Sequence, residues 1–176
     1  MNTAHPFPPV RSRGFTLFEI IVVVFIIGVI VTFASLSISQ HSDRYVEDEA
    51  KRIHHLIRLA AEEAVLSAQE LSFLINRKGY SFAQLAGAKW EPIEGDSFFR
   101  KREFPENLKV KMLVYDQEAN LNDPEKPVQI YILSSGEVTP FKLMLTGESN
   151  VEYTVSGSLT GQITYQQPVT KDEFGG

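Results

Sequence analysis

Between Phe15 and Gln40 the chain carries one charged side chain, Glu19, in a run that is otherwise apolar or small. About 20 apolar residues at 1.5 Å each cover the roughly 30 Å hydrocarbon core of a bilayer, so Phe15 to Ile38 predicts a membrane-spanning helix. No proline interrupts the run, so no kink is predicted. A carboxyl group in such a helix costs about 2.5–3.5 kcal/mol on insertion scales. Its presence therefore predicts a cationic partner; the alternative is a plain anchor with Glu19 tolerated near the interface.

The flanks set an orientation. Arg11 and Arg13 precede the run, and Asp43, Glu47, Asp48 and Glu49 follow it within a mixed-charge stretch. The positive-inside bias then keeps the N-terminus cytoplasmic and sends the rest across. A secretory signal has a shorter apolar region with a small-residue cleavage site after it. Here the small residue, Gly14, stands before the run, so removing what precedes it leaves the apolar segment on the mature protein.

The order Arg11-Ser12-Arg13-Gly14-Phe15-Thr16-Leu17-Phe18-Glu19 resembles the prepilin signature of the type IV pilin and type II secretion pseudopilin superfamily. The resemblance implies that residues 1–14 are a leader. A dedicated prepilin peptidase would cut on the cytoplasmic side between Gly14 and Phe15 and N-methylate Phe15. It also implies a partner for Glu19, the amine of the N-terminal residue on a neighbouring subunit. The leader is longer than the shortest in the superfamily and carries Pro6, Pro8 and Pro9, which leaves the cleavage motif intact.

Beyond the span, Val46, Ala50, Ile53, Ile57, Ala60, Ala64, Ala68 and Leu71 recur at steps of three and four, one stripe along a continuing helix to about Leu71. Glu47 with Lys51 and Asp48 with Arg52 are acid-first i,i+4 pairs for its exposed face. Seven short β-branched and aromatic runs follow: 71–75, 80–85, 108–115, 128–133, 141–145, 151–155 and 163–165. Residues 76–79, 134–137 and 146–150 read as hairpin loops, with Gly136 serving a turn that needs positive φ. The fold class expected is α+β: a long N-terminal transmembrane and amphipathic helix packed on an antiparallel head of one or two small sheets. The organisation expected is leader 1–14, transmembrane half 15–38, amphipathic half 39–71, head 72–166 and a flexible tail 167–176.

Within the superfamily the head resembles the minor pseudopilin H of type II secretion, the GspH type. Gly79-Tyr80-Ser81-Phe82, Trp90 with Glu91-Pro92, Phe98-Phe99-Arg100 and the stretch Leu133 to Phe141 carry the likeness. Trp90 and Phe98 are expected as core anchors. The resemblance implies a subunit of a pseudopilus in the inner membrane of a Gram-negative bacterium, head in the periplasm, helping to export folded proteins. Its implied partners are the other major and minor pseudopilins, including the I, J and K components of the tip, the peptidase and the inner-membrane assembly platform. The rival is a minor type IV pilin of the FimT kind, with a role in pilus assembly or DNA uptake. A basic tail would favour it, and residues 169–176 are net acidic.

Charge and chemistry exclude other classes. Losing residues 1–14 takes Lys+Arg from 17 to 15 while Asp+Glu stays at 22, so the remainder carries −7. That balance argues against a nucleic-acid surface. There is no cysteine, so an exported head relies on packing. No histidine follows the helix, and His54 and His55 diverge by about 100° on it, so neither hydrolase nor metal chemistry is implied. The oxygen-rich loop Asp116 to Asp123 lacks the central glycine and the final glutamate of an EF-hand, where Pro127 stands, and reads as a solvated loop. Although some pseudopilins carry calcium, no cofactor and no metal are expected, and no enzymatic activity.

Overall fold

The computed structural model describes residues 16–168, with side chains described outside 33–43. Helix α1 spans Leu17–Ser67. Ten strands follow: β1 (Leu71–Asn76), β2 (Gly79–Ala86), β3 (Lys89–Pro92), β4 (Arg102–Glu103), β5 (Lys109–Val114), β6 (Gln117–Glu118), β7 (Val128–Ile132), β8 (Phe141–Thr146), β9 (Glu152–Gly157) and β10 (Ile163–Gln166). The chain divides into two compact units, Met1–Ile38 and Ser39–Gly176.

In the first unit, the described part of α1 exposes apolar residues all round, from Leu17 and Phe18 through Phe25 to Val31. A helix apolar on every side lowers its free energy only by being covered, by lipid or by other helices. The described side chains of the run stop at Thr32. Among the described residues no helix is long and apolar enough to cross a membrane.

The second unit is built on the helical stripe. Val46, Ala50, Ile53, Ile57, Ala60 and Ala64 are buried, joined by Leu56, in one core with both sheets. The stripe ends earlier than the spacing predicts, since α1 stops at Ser67 and Leu71 opens β1. Ala68 turns into the left-handed region with φ 52. Its N–H bonds the Val65 carbonyl and the Gln69 N–H bonds the Ala64 carbonyl. This is the Schellman stop, with alanine where glycine is usual. Of the two expected ion pairs, Lys51 meets Glu47 at 2.6 Å, whereas Arg52 turns from Asp48 to Glu49.

All seven predicted strands are present, in two antiparallel sheets. One has the order β3-β2-β1-β7, with β4 on the start of β2; the other runs β10-β9-β8-β5-β6. Phe73, Ile75, Tyr80, Phe82, Ile130 and Ile132 line the inner face of the first, and Met112, Leu143, Leu145 and Val155 belong to the second. The additional strands β3, β4 and β6 are short and polar, which sheet edges tolerate. Gly79 is obligatory where β4 pairs with β2, because a Cβ there would stand 2.0 Å from the Arg102 carbonyl oxygen.

Two loops behave as read. Asn76 Oδ1 accepts the N–H groups of Lys78 and Gly79 and fixes the β1–β2 hairpin. Residues 147–151 join β8 to β9. The third differs. Residues 134–137 make a tight turn with Gly136 at φ 89 and an Ile132–Val138 bridge. The chain then leaves for the second sheet, and β8 pairs with β5 and β9 instead of β7. Pro140 has no N–H to continue the ladder. Its carbonyl accepts from Tyr115 N–H and hands the strand to the second sheet.

The aromatic anchors also differ from expectation. Phe98 is 57 % exposed, while Phe99 is buried with its ring 4.9 Å from that of Phe82. Asp96 Oδ1 accepts from the N–H groups of both residues, and the tight turn it forms swings the second ring inward. Trp90 is half-buried on the outer face of the first sheet, where it meets Tyr131 at 5.6 Å. The small residues Ser72 and Ala83, in register with each other and Ser72 with Tyr131, are buried there.

Candidate functional site

The start of α1 is set by Thr16. Its carbonyl accepts from Ile20 N–H at 3.2 Å, the first turn of the helix. Its hydroxyl accepts from Glu19 N–H, also at 3.2 Å. Thr16-Leu17-Phe18-Glu19 therefore has the spacing of a capping box, with Glu19 at the third helical position. An acid in the first turn is favoured by the helix dipole, so Glu19 suits the helix locally. Its side chain is exposed, and among the described residues it makes no ion pair. Gly14 and Phe15, the other residues singled out by the signature, lie outside the described residues.

Further along the same face-free helix, Gly28 has nothing within 4 Å of where a Cβ would stand. It leaves a notch that lets another backbone approach closely. Thr32 donates its hydroxyl to the Gly28 carbonyl at 2.8 Å, so that polar group is satisfied within the helix.

Lower on α1 the structure brings together a group the sequence reading missed. Glu49 is 2 % exposed among core residues. Tyr80 donates its hydroxyl to Glu49 Oε1 at 2.7 Å, and Arg52 donates to Oε2. Burial, then the hydrogen bond to Glu49 and its charge, raise the Tyr80 phenol well above its usual range. The signal was present: Glu49 stands three residues past Val46 and four before Ile53, on the apolar stripe itself. This pair ties α1 to the first sheet.

His54, His55 and the 116–123 loop, the residues weighed for chemistry, make local packing and turn contacts. The rings of His54 and His55 meet edge-on at 5.0 Å, and His54 faces β10, with Tyr165 at 6.2 Å. Burial holds the His54 imidazole below its usual value, against the raising effect of a backbone hydrogen bond at Ile163. In the 116–123 segment, Tyr115 and Asp116 form a left-handed two-residue turn between β5 and β6. Asn120 Oδ1 and Asp123 Oδ1 accept backbone N–H groups of their own loop, and Glu118 pairs with Lys111 at 3.1 Å. Asn120 Oδ1 and Asp123 Oδ1 thus serve as turn acceptors.

The family model described as type II transport protein GspH matches residues 49–161. The chain belongs to the GspH family. A second model, the prokaryotic N-terminal methylation motif, matches residues 10–35, the stretch that holds Gly14, Phe15 and Glu19. Type II secretion system protein H of Pseudomonas aeruginosa is 37 % identical over 143 residues, covering 76 % of this chain and 83 % of that protein. The protein H of Aeromonas hydrophila is 25 % identical over 178 residues, covering 94 % and 91 %. Among solved structures, the minor pseudopilin EpsH of the Vibrio cholerae type II secretion system superposes with a TM-score of 0.58 at 26 % identity, covering 70 % of this chain and 94 % of that one.

This GspH-family chain is a minor pseudopilin of type II secretion, a part of the Gram-negative envelope. The α+β architecture, a long helix on two antiparallel sheets, is the pseudopilin fold that the sequence resemblance implied.

Proposed function

We propose that the peptidase cuts between Gly14 and Phe15, that Phe15 is N-methylated, and that residues 15–38 then anchor the subunit in the inner membrane, N-terminus cytoplasmic and head periplasmic. From there the helix enters the pseudopilus by packing against like helices of other major and minor pseudopilins, the I, J and K components among them, on the inner-membrane assembly platform. The carboxylate of Glu19 meets the N-terminal amine of a neighbour and sets axial register. The subunit carries no chemistry of its own and works as a structural part of the export filament.

One observation carries this reading: the backbone N–H of Glu19 is capped by Thr16 at the start of an exposed apolar stretch of α1, from Leu17 to Val31, and Glu19 makes no ion pair among the described residues. Apolar burial alone lets two smooth helices slide along one another. Two opposite charges at 4 Å attract by about 4 kcal/mol at an effective dielectric of 20, and removing one strands the other. Glu19→Ala should insert in the membrane as the parent does and lose co-purification with the other pseudopilins. Undiminished co-purification would remove the register role.

A further inference from the structure

Three cations of the head, Arg100, Lys101 and Arg102, are consecutive in the chain. Arg100, Lys101 and Arg102 lead into β4 beside Tyr45, Glu49 and Arg52 of α1, and with Glu103 these side chains line a cleft of about 290 Å³. Glu49 is already satisfied there by Tyr80 and Arg52. Among the described residues, Arg100, Lys101 and Arg102 make no ion pair. Nε of Arg102 is buried with no hydrogen-bond partner among them, a donor that folding has desolvated without supplying an acceptor. In a chain with 22 acids against 17 Lys and Arg, this lining holds four cations, Arg52, Arg100, Lys101 and Arg102, against two acids, Glu49 and Glu103.

We propose that this cleft receives a carboxylate-bearing segment of a neighbouring protein subunit. Exposed Arg100 and Lys101 meet the acid at the mouth. The Arg102 guanidinium turns to offer it two parallel N–H donors, the geometry that suits a carboxylate. The acids already in the cleft, Glu49 and Glu103, repel a doubly charged phosphate more than a single carboxylate. Tyr45, 40 % exposed, supplies an aromatic wall for the chain on either side of the acid. Tyrosine and arginine are the residue types on which protein interfaces concentrate their binding energy.

The inference rests on the assembly reading only for the source of the segment, so its test uses this chain alone. Full-length protein in detergent micelles is titrated with blocked tetraglutamate and tetraglutamine peptides and followed through its backbone amide NMR signals. Tetraglutamate should shift the signals of Tyr45 and residues 100–103, and tetraglutamine should not. Arg100→Gln with Lys101→Gln should weaken binding by about tenfold or more, as befits two lost charge-assisted bonds. The charge-preserving pair Arg100→Lys with Lys101→Arg should retain it, and Lys126→Gln on an exposed loop should leave it unchanged. An equal response to both peptides, undiminished binding by the double glutamine variant, or tighter binding of inorganic phosphate than of tetraglutamate would each overturn the proposal.

Discussion

Tyr80→Phe removes one atom from the buried tie between α1 and the first sheet. The ring keeps its place, because Phe73 and Phe104 hold it at centroid distances of 5.5 Å on either side. What disappears is the hydroxyl 2.7 Å from Glu49 Oε1, a donor to a carboxylate that is 2 % exposed and left with Arg52 alone. Hydrogen bonds to charged groups are worth about 1.5–3 kcal/mol. For a domain of this size that corresponds to a fall of about 5–12 °C in midpoint. Thermal and urea melts of a fragment beginning near Arg44, which keeps the helical stripe, should show it. Glu49→Gln should cost a similar amount, and the double variant should cost less than the sum, since both changes break one interaction. A pH series adds a second signature. The fold raises the Tyr80 phenol above the ordinary value of 10.0, so its contribution is fully present below pH 10 and is lost as pH rises further. Tyr80→Phe should flatten that alkaline loss, leaving the part due to Tyr45 and Tyr165, whose phenols are also raised by burial. A midpoint lowered by less than about 2 °C, or strict additivity with Glu49→Gln, would refute the tie.

Ala68 occupies a left-handed position that glycine adopts without steric cost, so Ala68→Gly should stabilise the head by about 0.5–1 kcal/mol in urea melts; a destabilised variant would contradict the Schellman geometry. Burial disfavours the charged form of His54, so its contribution is complete above its ordinary value of 6.5 and fades as pH falls through the lowered folded value. Midpoints measured between about pH 7 and 5.5 should therefore decline less steeply for His54→Gln than for the parent, and identical slopes would exclude the effect.

Much of this was legible because period and turn chemistry are local. The steps of three and four from Val46 to Ala64 fixed the buried face of α1, and the β-branched runs located every long strand. What was hidden depends on tertiary partners. Arg52 has Asp48 and Glu49 within reach, and only the Tyr80 hydroxyl arriving from β2 decides for Glu49. Phe98 and Phe99 are equivalent as letters, and the Asp96 turn selects the second. The helix stop at Ala68 escaped notice because alanine is a helix former, and it takes the left-handed position only when two carbonyls need donors there. Similarly, β3 carries lysine, glutamate and proline instead of a β-branched run, and exists because the edge of β2 offers it a ladder. At the assembly end, the Thr16 cap was written in the Thr-x-x-Glu spacing, which the membrane argument for Glu19 overshadowed.

Intact mass measurement with N-terminal sequencing of protein isolated from cells reports directly on processing before Phe15. The expected product is a mature chain that lacks residues 1–14 and begins with Phe15 carrying one added methyl group. A functional, pseudopilus-incorporated subunit that still begins at Met1 would contradict it, since no free amine would then stand at Phe15 to meet the carboxylate of a neighbour.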